Sequence, residues 1–218
     1  YDLWKANAFL YRPSFRTVTL PTYRTDAPAA GVGLVPRVPV RAMDTRSTGQ
    51  RITGGNFVKV PLAGKVAANA VGAVVNVTAV APTGVGFLTA WPCGARLPAT
   101  SVLNYRAGRT TANSVHVRLG PTQELCVYSW MTADVVVDVF GSYVPTGGAG
   151  LHPVPATRVF DTVDSTALVK DATRTVPIAG LGGVPPSGVS AVTFTVTATN
   201  PHGQATRYPL PVGLVKPN

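Results

Sequence analysis

The chain is short of charge, and shortest of acid. Charged residues make up 13% of its 218 residues, with only 9 Asp and Glu against 19 Lys and Arg. That is about half the usual charged share of roughly 25%. A thinly charged surface has to be covered by something else, and Thr, Ser, Asn, Gly and Pro supply it. No run reaches the roughly 18 apolar residues that span a bilayer. There are 2 cysteines, and they do not form a Cys-x-x-Cys pair, which argues against zinc. No Gly-x-Ser-x-Gly elbow occurs. No motif implies a cofactor or a metal. No leader is visible and the sequence begins at Tyr1; a removed leader or a boundary set elsewhere accounts for both.

The net charge of +10 admits acidic glycans or nucleic acid as partners. Lys and Arg are scattered, however, with no run of three. Arg12, Arg16 and Arg24 near Tyr11, Phe15 and Tyr23 are the nearest approach to a basic aromatic platform. Nucleic acid is therefore not expected.

What the chain does contain is one passage written twice. Arg41-Ala42-Met43-Asp44-Thr45 returns as Arg158-Val159-Phe160-Asp161-Thr162. Val60-Pro61-Leu62-Ala63-Gly64 returns as Val176-Pro177-Ile178-Ala179-Gly180, and Asn76-Val77-Thr78-Ala79 as Thr195-Val196-Thr197-Ala198. The offset is 117 (158 − 41) at the first motif and 119 (196 − 77) at the third. Such spacing indicates duplicated domains. The expected organisation is an N-terminal arm and linker over 1–36, a complete β-domain over 37–148, and a partial second repeat with a Pro-rich tail over 149–218.

Within the complete copy, seven strands are expected, at 57–62, 73–80, 86–91, 101–105, 114–119, 124–128 and 134–140. No helix is expected, because 22 Gly and 20 Pro interrupt every candidate. The fold class is all-β, an antiparallel β-sandwich of Ig-like or jelly-roll-like kind, with one complete and one partial copy. In the second copy Val192, Phe194, Val196 and Ala198 alternate with Thr193, Thr195, Thr197 and Thr199. The matching positions of the first copy put Val75, Val77 and Ala79 on an apolar face, and Asn76, Thr78 and Val80 on the other.

Cys93 and Cys126 lie 33 apart (126 − 93), both inside the complete copy. They read as an intradomain disulfide, the alternative being two buried thiols. A disulfide implies a non-reducing compartment.

The strings Gly86-Phe87-Leu88-Thr89-Ala90-Trp91-Pro92-Cys93-Gly94, Ser101-Val102-Leu103-Asn104-Tyr105-Arg106, Ala112-Asn113-Ser114-Val115 and Asp134-Val135-Val136-Val137-Asp138-Val139-Phe140-Gly141 resemble a repeat of secreted, often multidomain proteins of actinobacteria and related bacteria. The resemblance covers about 37–145 well and 153–212 in part. It implies a secreted or cell-surface β-domain and no activity.

The candidate catalytic groups are better read structurally. Asp44 and Asp161 recur before Thr, as an Asx-turn or a carboxylate held by Arg41 and Arg158 would. Asp134 and Asp138 share a strand face about 13 Å apart, beyond the reach of a retaining glycosidase pair, and read as edge-blunting charge. Ser114 and His116, two apart on one strand, cannot act as nucleophile and base unaided. Asn76-Val77-Thr78 matches a glycosylation acceptor but lies in a strand.

Two functions are expected, neither enzymatic. The first is an extracellular structural protein that self-assembles with copies of itself into a fibre or surface layer. A second repeat without its latter half leaves unpaired edges, and strands from a neighbour would complete it. Phe194 and Val196 would accept, and Phe15, Val18 and Leu20 of the arm would donate. The second is a module for cell-wall or acidic glycans. Trp91, Tyr105, Trp130 and Tyr143 are its aromatic candidates, and Trp130, Tyr105 and Arg106 its assigned residues, with Trp130 expected to be exposed.

Overall fold

The structure is a computed structural model that describes residues 31–151, 153–162, 167–169 and 172–197. The chain divides into two units, Tyr1–Gly31 and Val32–Asn218. Phe15, Val18, Leu20, Ala198, Thr199 and the Pro-rich tail lie outside the described residues.

Among the described residues, eight strands form two four-stranded antiparallel sheets. In chain order they are β1 (Gly33–Asp44), β2 (Asn56–Pro61), β3 (Gly72–Val80), β4 (Gly86–Pro92), β5 (Leu103–Tyr105), β6 (Thr111–Arg118), β7 (Glu124–Ser129) and β8 (Asp134–Val144). Sheet 1 runs β1-β8-β3-β6 and sheet 2 runs β2-β7-β4-β5. This is the antiparallel sandwich that the alternating short strands call for. Val75, Val77 and Ala79 of β3 and Val135, Val137 and Val139 of β8 point inward, fully buried. They meet Val60, Leu88, Leu125 and Val127 from sheet 2 in one core.

β1 is the strand that the sequence conceals. Pro36 and Pro39 interrupt it, and proline in a strand normally argues against one. β1 escapes because it is an edge strand, with β8 as its one strand partner among the described residues. Its register with β8 shifts between Pro36 and Val40, where the second proline sits. The sheet thus claims Gly33–Pro36, residues assigned above to the arm, and Ala149 bridges back to Leu34 at the other end.

One short helix, α1 (Thr45–Thr48), also departs from expectation. Asp44 caps it by accepting from the Arg46 backbone N–H, and Gly49 closes it in the left-handed region at φ 68°. The buried Thr45 hydroxyl donates to Asp134 Oδ1 at 3.0 Å and accepts from Val135 N–H at 2.9 Å. The turn therefore bolts β1 to β8.

All six ladders share a property. Each joins a strand from the first half, β1 to β4, with one from the second half, β5 to β8. No first-half strand pairs with another first-half strand. The disulfide Cys93–Cys126, Cα–Cα 5.0 Å, crosses the same divide, from the end of β4 into β7.

The second repeat behaves accordingly. Its described residues contain no strand, and Val192, Phe194 and Val196 are exposed. The strand expected there is not formed. The physical reason is in the first copy, where the equivalent strand β3 is held between β8 and β6. The repeated motifs within the described residues are counterparts of β1, β2 and β3, and these have no ladder to make with one another. What survives is local: Arg158 Nη1 meets Asp161 Oδ2 at 2.6 Å, as Arg41 Nη1 meets Asp44 Oδ2 at 2.8 Å.

Candidate functional site

Two surfaces are candidates: the unpaired apolar row of the second repeat and the outer face of sheet 2. In the first, Phe194 is 50% and Val196 53% exposed. Strand-type alternation is present in the sequence there, but no backbone partner is present among the described residues.

Sheet 2 shows an unusual outer face. Leu88 of β4 and Leu125 and Val127 of β7 point into the core. The intervening positions carry Phe87, Thr89, Trp91, Cys126 and Tyr128. Of these Thr89, Trp91 and Cys126 are buried, with Thr89 donating to Thr100 O and Trp91 Nε1 to Ala95 O, so Trp91 is closed to a ligand. Trp130 follows directly after β7. Phe87 stacks on Trp130 with centroids 5.5 Å apart and planes at 20°, and it leans on Tyr128 at 6.1 Å. Phe57 meets Trp91 edge-on at 5.6 Å. Trp130 is 54% exposed, as expected. The outward positions of sheet 1 are different in kind, with Asn76, Thr78, Ser114 and His116.

The four aromatics named from sequence do not form one platform. Trp91 and Trp130 belong to sheet 2. Tyr143 belongs to sheet 1, where its hydroxyl lies 2.6 Å from His116 Nδ1 and burial raises its pKa. Tyr105 is a correction: at 3% exposure it is a core residue, so its ring is closed to a ligand. Its hydroxyl lies 2.9 Å from Ser129 Oγ and accepts from Met131 N–H at 2.9 Å. It supports the turn that displays Trp130. Gly86 is glycine for this reason, since a Cβ there would lie 2.9 Å from the Tyr105 oxygen. Phe87, Tyr128 and Phe57 were missed. Their signal was available, because each is out of phase with the core residues of its own strand.

Two shallow grooves flank the Phe87–Trp130 stack. One, of about 410 Å³, is lined by Val85, Asn104 and Arg106 beside the stack. The other, of about 440 Å³, is lined by Leu97, Thr100, Ser101 and Tyr128. The edge of the Tyr105 side chain reaches the first, so the three residues assigned from sequence do converge, although only Trp130 and Arg106 are open to a ligand.

The carboxylates cluster on sheet 1 and serve its structure. Asp44 receives Arg46 Nη2 at 2.7 Å and Arg41 Nη1 at 2.8 Å. The Arg46 side-chain hydrogen bond leads in lowering its pKa from 3.8 to about 2, against the opposing effect of burial. Asp138 accepts from Arg41 Nε at 2.5 Å, and Asp134 pairs with Arg51 Nε at 3.1 Å. The edge-blunting account of Asp134 and Asp138 is corrected, because β8 lies between β1 and β3 and not at an edge. Both are anchors for arginines. Among the described residues no three His, Cys, Asp or Glu side chains gather as metal ligands, and no helix is long and apolar enough to cross a membrane.

No family model and no curated protein matches the chain. Among solved structures it is similar to the Tobacco streak virus coat protein. A dimer structure of that protein overlaps at TM-score 0.27 and 10% identity, over 56% of this chain and 89% of that one. A second crystal form gives TM-score 0.27 and 10% identity, over 63% and 99%. Overlap of that degree carries no argument about assembly.

Proposed function

We propose that this chain is a non-enzymatic extracellular structural protein that assembles with copies of itself by strand complementation. The first-half strands of residues 153–197 accept partners from a neighbouring subunit. One observation carries the reading. Every ladder of the complete domain pairs a first-half strand with a second-half strand, and the described part of the second repeat holds first-half counterparts alone. Burial of Val192, Phe194 and Val196 then awaits strands from elsewhere.

The complete domain of a neighbour is a poor donor. Its second-half strands are engaged, and Cys93–Cys126 ties its two halves covalently. The donor we assign is the leading segment short of Gly33, with the alternating run that holds Phe15, Val18 and Leu20. A donor at one end and an acceptor at the other make a head-to-tail contact, which extends into a fibre when it does not close. The disulfide, the low charge and the resemblance to secreted actinobacterial repeats support a secreted or cell-surface location.

Sedimentation velocity on the full chain tests this. The wild type should show mass that rises with concentration, and Phe194→Asp should remain monomeric with its near-UV spectrum intact. Phe15→Asp should do the same from the donor side. A wild type that stays monomeric, or an F194D that assembles as before, would end the proposal.

A second reading, a module for acidic or cell-wall glycans, is favoured by the exposed Trp130 stacked on Phe87 beside Arg106.

A further inference from the structure

We infer that the outer face of sheet 2 binds an acidic polysaccharide chain, which lies across the Phe87–Trp130 ridge and contacts Arg106 through its anionic groups. The inference deepens the glycan reading above, and it stands apart from assembly.

A sheet with one side on the core presents polar residues on the other, and sheet 1 does so with Asn76, Thr78 and Ser114. On sheet 2 the outward positions beside Trp130 hold Phe87 and Tyr128 instead. Phe87 and Trp130 lie nearly parallel, at 20°, and Trp130 is 54% exposed. A flat exposed ring is the surface on which the C–H face of a sugar packs. Stacking alone is not selective, and the polar groups beside it supply orientation. Asn104 and Arg106 line one side of the ridge, and Thr100 and Ser101 line the other. Two grooves sharing one ridge form a track, which suits an extended chain with more than one unit.

Charge selects the acidic class. The described arginines of the sheet 1 cluster, Arg41, Arg46 and Arg51, are matched by Asp44, Asp134 and Asp138. Arg106 is exposed and makes no ion pair among the described residues, and no carboxylate lines either groove. A carboxylate or sulfate on the ligand would meet an uncompensated guanidinium. The chain's net charge of +10 adds long-range attraction of the same sign.

The experiment titrates the full chain with polygalacturonate and, separately, with the neutral polymer dextran, followed by tryptophan fluorescence and calorimetry. Polygalacturonate should bind and weaken with salt, and dextran should bind far less. Trp130→Ala should lose about tenfold in affinity, a loss of roughly 1.4 kcal/mol, while the domain still melts cooperatively, lowered by a few degrees through the lost Phe87 stack. Arg106→Gln should weaken polygalacturonate by severalfold. Arg118→Gln removes the same charge from β6, on the other sheet, and should leave binding unchanged. Equal losses in R106Q and R118Q would mean diffuse polycation binding and overturn the site. Equal binding of dextran would overturn the acidic class. Binding that survives W130A would overturn the ridge, as would capture of a protein partner by this face in place of either polymer. Since F194D leaves sheet 2 untouched, loss of assembly and loss of glycan binding are separable results.

Discussion

Val77 and Val196 are the same position in the two copies, 119 residues apart (196 − 77), and they should respond in opposite ways to the same substitution. Val77 is wholly buried on β3, with ladders to β6 and β8 on either side. Val→Ala removes two methyl-sized groups, at about 0.8 kcal/mol each for transfer. The cavity left in a two-sided ladder adds to that, for a total of about 2 kcal/mol. For a domain of this size the melting temperature should fall by roughly 8 °C. Val196 is 53% exposed in a segment without a strand. The same change there should lie within about 0.5 kcal/mol of zero. Urea melts of the oxidised full chain, taken dilute enough to be monomeric, measure both. At higher concentration Val196→Ala should instead delay assembly, because the proposed joint would bury its side chain. Equal destabilisation by the two variants in the monomer would refute the reasoning, since residue 196 would then sit in a formed ladder. A negligible cost at Val77 would refute the register.

Asp44 predicts an acid limb. Its folded pKa of about 2 lies below the ordinary 3.8, so the unfolded chain binds the proton more readily. Its contribution is complete above about pH 4 and is lost as pH falls toward 2. Asp44→Asn should flatten that limb in pH-dependent melts, and Asp44→Ala should cost about 1 kcal/mol at neutral pH through the lost cap. The Cys93–Cys126 bridge closes a loop of sequence separation 33, which in the chain-entropy model is worth about 4 kcal/mol. Thermal melts with and without reductant should differ accordingly, and the double Cys→Ser variant should match the reduced wild type. A variant as stable as the oxidised protein would show the halves held by packing alone.

The parts of the fold that were legible in the sequence are those set by neighbours along the chain. Alternation gave the buried face of β3, and turn residues gave seven of the strands. β1 was concealed because Pro36 and Pro39 are judged by local rules, whereas their tolerance depends on an edge position decided by the whole sheet. Strand order failed in the same way at Asp134 and Asp138, whose strand turned out to be central. In the candidate site, Trp130 was found as an aromatic in a turn. Phe87 and Tyr128 were passed over because an aromatic in a strand is ordinarily core, and only phase against Leu88 and Val127 distinguishes them. Tyr105 was misjudged for the converse reason, being in phase with Leu103.

The two copies separate pattern from pairing. Alternation in 192–197 is as regular as in 75–79, yet one is β3 and the other is exposed chain. Side-chain pattern decides which face a strand would bury, and a strand exists only when a partner satisfies its backbone. In this fold the partner always comes from the other half, so no first half is a folding unit. The tether that brings a second half near sets only its effective concentration. A donor on the same chain and a donor on a neighbour would make the same ladders, at different concentrations. The second copy also carries Val212, between Pro211 and Gly213, where the first carries Cys93 between Pro92 and Gly94. Its halves cannot be stapled by that disulfide. The complete domain is therefore locked once oxidised, whereas the joint proposed at 153–197 would rest on strands and packing and stay exchangeable, the property expected of a link between subunits.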